Sequence, residues 1–239
     1  MSLTGTSIFD PVLSEVVYNW FCIRGGKVFD PFAGGSVRGV VAALCGLNYI
    51  GIDLSEKQIK ANRGISDALG VSPVWFCDDS RNADKYSADE TADLVFSCPP
   101  YFDLEQYSND PRDLSNMSYA DFLTAYNEII SISCRKLKEN RFAVFVVGDV
   151  RNKLGVYRDF IGETKQAFFK NGLSLYNDVV FLEQYGTAPM RAGLQFDRVR
   201  KLVKTHQNIL IFYKGDTKKM KEIFNEPFQF ADLEQFNKG

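Results

Sequence analysis

The regular alternation of short apolar runs with helical stretches constrains this chain more than any other feature. Strand-like runs fall at 27–32, 48–54, 73–77, 93–97 and 142–147. Segments 9–21, 36–45, 55–69, 118–137 and 157–170 carry apolar residues at helical spacing instead. Asp10 and Pro11 form a helix start, an acidic cap followed by a residue suited to the first turn. Gly46, Gly70 and Gly172 mark helix ends. Two further strands, 175–184 and 208–214, then follow one another, and the tail beyond Asp216 reads as one helix and a loose end. Strands alternating with helices predict a parallel sheet covered on both faces. The closing pair, with a long connection between its strands, predicts an antiparallel addition at one edge. The expectation is an α/β, Rossmann-like chain of seven strands in a single domain over 1–239. It divides into an N-terminal helical segment at 8–26, a core at 27–216 and a tail at 217–239.

Composition bounds the function. The net charge is −2, from 28 basic and 30 acidic residues, so no global basic field advertises a nucleic acid. Such a partner would have to meet a local patch. Five cysteines, an odd number set in or beside apolar segments, suit reduced thiols in a cytoplasmic protein. No apolar run is long enough for a spanning helix, no signal peptide is visible, and no His/Cys spacing predicts a metal site.

Two strings carry the chemistry. The first is Phe29-Asp30-Pro31-Phe32-Ala33-Gly34-Gly35, a strand end followed by a glycine turn. Glycines there permit a tight turn and close backbone approach by a ligand. Acids also close the next two strands: Asp53, before Leu54, and Asp78-Asp79-Ser80. In an open α/β sheet, ligands bind beyond the carboxyl ends of the strands. An acid at the end of the second strand suits ribose hydroxyls, and one at the end of the third suits an adenine amino group. The alternative is that each acid merely caps a following helix. Asp30, standing before the turn, disfavours a pyrophosphate and suits a ligand carrying an ammonium and a sulfonium.

The second string is Ser97-Cys98-Pro99-Pro100-Tyr101, which ends the run Leu94, Val95, Phe96. Two prolines cannot continue a ladder, and they stiffen the backbone at the strand end. The turn offers an open carbonyl and then an aromatic face, which suits a flat, amine-bearing ring. Its bland counterpart is a rigid loop that packs Tyr101 into the core.

Together the two strings resemble the signature motifs of DNA methyltransferases that modify the amino group of adenine or cytosine. The resemblance covers roughly 8–214. It implies the seven-stranded fold of S-adenosylmethionine-dependent methyltransferases, that cofactor with S-adenosylhomocysteine as product, no metal, and DNA as partner. It also implies a bacterial or phage source, and a cofactor site over Phe9, Pro11, Asp30, Pro31, Phe32, Ala33, Gly34, Gly35, Asp53, Leu54, Asp79 and Ser80. By position, the reacting end falls on Cys98, Pro99, Pro100 and Tyr101. The first of these is usually Asp, Asn or Ser in that family, and a thiol is a weak acceptor. Sequence recognition would then come from loops, or from a separate or missing domain. Within the chain, Arg191, Arg198, Arg200, Lys201 and Lys204 are the candidates for phosphate contact, read as a loop over the cleft, and 102–117 with Tyr107 and Arg112 is a second segment. His206, the only histidine, reads as a surface or strand-start residue. Asp149 either faces substrate or pairs with Arg151. The alternatives to a DNA enzyme are an RNA or protein-amide methyltransferase, or a remnant weakened at Cys98 that binds ligand without turnover.

Overall fold

A computed structural model describes residues 8–102, 110–182 and 188–225 of the chain. Tyr107 and the far tail lie outside the described residues, as does the side chain of Arg191. Seven strands form one sheet: β1 (Lys27–Asp30), β2 (Asn48–Asp53), β3 (Val74–Cys77), β4 (Ala92–Ser97), β5 (Leu137–Val147), β6 (Ser174–Leu182) and β7 (His206–Lys214). Their spatial order is β3-β2-β1-β4-β5-β7-β6. Strands β1 to β5 pair in parallel, and β7 pairs antiparallel with both β5 and β6. The expected antiparallel pair therefore sits at the expected edge, with β7 as its inner member.

Alternation of side chains across the sheet builds two cores. Along β5, Phe142, Val144 and Val146 join Val28, Leu94, Phe96, Ile209 and Ile211 on one face. The intervening Ala143, Phe145 and Val147 join Phe29, Val95, Leu210 and Phe212 on the other. A strand buried on both faces has to be apolar at every position, which is why 142–147 shows no polar alternation. Helices α1 (Pro11–Phe21), α2 (Val37–Leu44) and α3 (Glu56–Leu69) supply Leu13, Val17, Val40 and Ile59 to the first core. Helices α4 (Tyr119–Lys136) and α5 (Phe160–Lys170) supply Phe122, Tyr126, Ile130 and Phe168 to the second. Each such side chain contributes roughly 1.5–3 kcal/mol by leaving water.

The helix starts follow the sequence. The Asp10 carboxylate accepts from the amides of Val12 and Leu13, with Pro11 at the first helical position. Ser55 and Ser118 cap α3 and α4 through their hydroxyls, and Gly70 closes α3 at φ +66°. One element departs from expectation. The basic stretch before β7 is not all loop, because Ala188–Val199 forms a helix, α6. Its glycine, Gly193, obscured the pattern, while Leu194 and the surrounding helix formers carry it. Helix α5 also begins three residues later than expected. Arg151 and Tyr157 instead form an isolated antiparallel bridge, with the guanidinium stacked 3.8 Å from the ring centroid.

Consecutive strands run outward in opposite directions from β1 and β4, so the switch point lies between those two. Both signature strings sit there, at adjacent carboxyl ends.

Candidate functional site

The β1 carboxyl end is locked from within. Asp30 is fully buried, and protein donors fill its carboxylate. Oδ1 accepts from the Ser97 hydroxyl at 2.5 Å and the Phe32 amide at 3.1 Å. Oδ2 accepts from Arg38 Nε at 2.7 Å and the Tyr49 hydroxyl at 2.8 Å. Burial, and then the Asp30 charge, push the Tyr49 phenol up, so it stays a donor. Arg38 also reaches two loop carbonyls, those of Phe32 at 2.6 Å and Ala33 at 3.0 Å. The Asp30 carboxylate, expected beside a cationic ligand, is met here by the chain's own donors. The chain's own cation, placed in the first turn of α2, takes that role. An acid at a strand end followed eight residues later by an arginine is the sequence signal for this pair.

Beyond Asp30 the turn opens outward. The Gly34 amide donates to Asp53 Oδ2 at 2.9 Å, and the Gly34 carbonyl accepts from Asn62 Nδ2 at 2.8 Å. Gly34 needs its positive φ of +51°. A Cβ at Gly35 would meet nothing within 4 Å, and one at Gly34 only the Phe32 carbonyl at 4.0 Å. The outer face of this turn is thus free for a ligand to lie against. Pro31 and Ala33 are buried beneath it. The Phe32 ring faces inward, stacked on Tyr126 at 5.9 Å. Phe9 lies over the Arg38 guanidinium at 4.6 Å and meets Phe96 edge-on, so it closes the loop from the side of α1. Pro11 is exposed and starts the helix.

Asp53 is half-buried, and each of its oxygens accepts one backbone amide, Oδ1 from Ser55 at 2.8 Å and Oδ2 from Gly34. One acceptor position per oxygen remains beside the open turn. Burial pushes its carboxyl up, opposed by those two amides. Leu54, also half-buried, follows it. At the end of β3 the acids are occupied. Asp78 accepts from Asp79 N, Asn82, Lys85 and Tyr86. Asp79 accepts from the amide and guanidinium of Arg81, so an adenine amino group would have to displace that arginine. The Ser80 hydroxyl donates to the Pro31 carbonyl and ties the β3 end to the glycine loop.

At the β4 end, the Ser97 hydroxyl donates to Asp30, and the proline turn follows. Cys98 and Pro100 are half-buried, and Pro99 is buried. Cys98 Sγ lies 3.8 Å from the Tyr101 hydroxyl. Phe102 follows at φ +41°, a conformation that costs a bulky side chain energy, and its buried ring packs on Tyr119 and Phe122. Tyr101 meets Phe160 edge-on at 6.4 Å and walls a cavity of about 220 Å³. Gly148, Asp149, Val150, Lys204, His206 and Gln207 complete the lining. Because β7 runs antiparallel, its first residues return to the same end of the sheet as the β4 and β5 termini. His206 does start a strand, as expected, and it also faces this cavity.

Of the basic candidates, Lys204 reaches the cavity wall. Arg198 and Arg200 are exposed, Lys201 is half-buried, and the Arg200 guanidinium lies 5.0 Å from the Phe196 ring centroid. Arg112 pairs with Asp110 at 2.7 Å. None of the five cysteines forms a disulfide bond. Among the described residues, no cluster of His, Cys, Asp and Glu could hold a metal ion, and no helix is long and apolar enough to cross a membrane.

This sheet order and site placement define the Rossmann-like fold of SAM-dependent methyltransferases. No family model and no curated protein matches the sequence. Solved structures do match the fold. TrmN from Thermus thermophilus is 17% identical at a TM-score of 0.61, covering 89% of this chain and 51% of its own, so the chain spans about half of that protein. An rRNA methylase from Streptococcus thermophilus is 12% identical at 0.53, covering 88% and 100%. Magnesium protoporphyrin IX methyltransferase (ChlM) from Synechocystis PCC 6803, with bound SAM, is 12% identical at 0.53, covering 88% and 87%.

Proposed function

We propose that this chain is a DNA methyltransferase that transfers a methyl group from S-adenosylmethionine to the exocyclic amino group of adenine or cytosine. The observation that carries the reading is the rigid Pro99-Pro100-Tyr101 turn at the end of β4, beside the outward-open glycine turn of β1 and with Tyr101 walling a cavity. Asp53 and the Gly34–Gly35 face fit the cofactor, with the carboxylate accepting from ribose hydroxyls. The bound SAM of ChlM, on the same fold, supports that assignment. When bound, the cofactor supplies a methyl group on a sulfonium.

An aromatic amine is a poor nucleophile because its lone pair is delocalised into the ring. Acceptors aimed at the amino hydrogens concentrate that lone pair on nitrogen, and the fixed turn holds the ring in line. The Pro99 carbonyl is one acceptor, Pro100 stiffens it, and the Tyr101 ring stacks on a base rotated out of its helix. Cys98 stands where an oxygen acceptor is usual and contributes little.

The rRNA methylase of the same fold favours a second reading, in which the base belongs to RNA. Incubation with methyl-labelled S-adenosylmethionine and either unmodified DNA or RNA, followed by nucleoside mass analysis, separates the two. Methylated adenine or cytosine in DNA is the expected product. Label in RNA alone would replace DNA as substrate, and label in neither would leave a protein-amide methyltransferase or a ligand-binding remnant.

A further inference from the structure

We infer that Asp149 is the second acceptor for the substrate's exocyclic amine, taking the place that Cys98 cannot fill; this rests on the amino-methyltransferase reading above. Asp149 lies just beyond the β5 strand end and lines the cavity. The alternative partner, Arg151, is turned away. Its guanidinium stacks on Tyr157 and donates to the Gly155 carbonyl at 2.7 Å. Asp149 Oδ1 accepts only a long bond, 3.3 Å from the Ile161 amide, and Oδ2 has no hydrogen-bond partner among the described residues. The half-buried carboxylate therefore keeps acceptor capacity toward the cavity that Tyr101 walls.

The rest of the lining fits a nucleobase edge. Tyr101 lines the cavity with an aromatic ring, and Lys204 brings donors for ring nitrogens or carbonyl oxygens. A carboxylate among these groups selects for an N–H donor such as an exocyclic amino group, which the purine ring without that group lacks. An analogue without the donor leaves the acceptor without its partner and binds more weakly. In the reaction, the amine nitrogen forms a bond to the methyl carbon as the carbon–sulfur bond breaks. The electron pair of that bond leaves on sulfur as a thioether. The proton that the methylated nitrogen then sheds passes to solvent or to the Asp149 carboxylate.

His206 makes the cavity directly observable, since it is the only histidine in the chain and lines the same space. Its ring resonance is followed by NMR in protein saturated with S-adenosylhomocysteine. The probes are 2′-deoxyadenosine, 2′-deoxycytidine and the purine deoxynucleoside that lacks the amino group. The wild-type protein is expected to show saturable shifts with at least one amine-bearing probe, and roughly tenfold weaker binding of the amine-free one. Asp149→Ala is expected to erase that preference, and Asp149→Asn, which keeps the shape and one acceptor oxygen, to retain part of it. Unfolding midpoints check that both variants are folded. An undiminished preference in folded Asp149→Ala, or no His206 response to any probe, overturns the assignment. Failure of the methyltransferase reading looks different: the preference and its loss persist, while wild-type protein transfers no label to DNA or RNA.

Discussion

Asp30 shows how one buried carboxylate can tie several elements together. Its carboxylate gathers Ser97, Tyr49, Arg38 and the Phe32 amide, and so fixes the ends of β1 and β4 and the start of α2 in one network. Arg38 is 5% exposed and would be left as an uncompensated buried cation if Asp30 were removed. Breaking one side of a buried pair typically costs about 3–5 kcal/mol. Asp30→Ala is therefore expected to lower the urea unfolding free energy by about that amount; a loss below about 1 kcal/mol would place the carboxylate among surface pairs instead. The sequence made Asp30 conspicuous but not its partner. Arg38 and Tyr49 lie 8 and 19 residues away, and only the turn of the chain brings them together. Asp53 was readable in place and in geometry because it closes a strand and faces the next turn. Asp149 was readable in place alone. Its release from Arg151 depends on the Arg151–Tyr157 bridge, which no periodicity signals.

At the scale of elements, α2 lies close on the sheet because of Gly39. A Cβ there would sit 2.6 Å from Trp75 Cζ2 and 3.0 Å from the Tyr49 ring. Gly64, in α3, faces open space, with nothing within 4 Å. The two substitutions to alanine should diverge. Gly64→Ala is expected to stabilise by roughly 1 kcal/mol through helix propensity alone. Gly39→Ala gains the same propensity but is expected to lose more to overpacking, which costs about 1–3 kcal/mol. Thermal midpoints moving in opposite directions would bear this out, and a rise in both would show that α2 can shift away freely. The helices with capping residues and one apolar face were legible at this scale, as was the doubly buried β5. Helix α6 was not. Among its described side chains Met190, Leu194, Phe196 and Val199 are exposed, so its periodicity is not reinforced by burial, and its charges resemble those of a loop.

For the whole molecule, the alternation predicts a parallel sheet, the structure supplies the strand order, and the switch point follows from that order. A cleft at the ends of β1, β2 and β4 is then a consequence of topology, and the two signature strings fall on it. With a net charge of −2, the nucleic-acid contact proposed above rests on local groups such as Lys204, Arg198 and Arg200. Substrate identity depends on those groups and on the cavity chemistry, which the fold by itself does not set. The cofactor cleft is the part on which every later step depends. It is tested most directly by calorimetric titration of S-adenosylhomocysteine, with NAD in parallel, into the wild-type protein and Asp53→Ala. The account predicts that the wild type binds S-adenosylhomocysteine and not NAD, and that Asp53→Ala binds it roughly tenfold or more weakly, through the loss of a charged acceptor to the ribose. Binding of NAD in its place, or equal affinity in the variant, would contradict it.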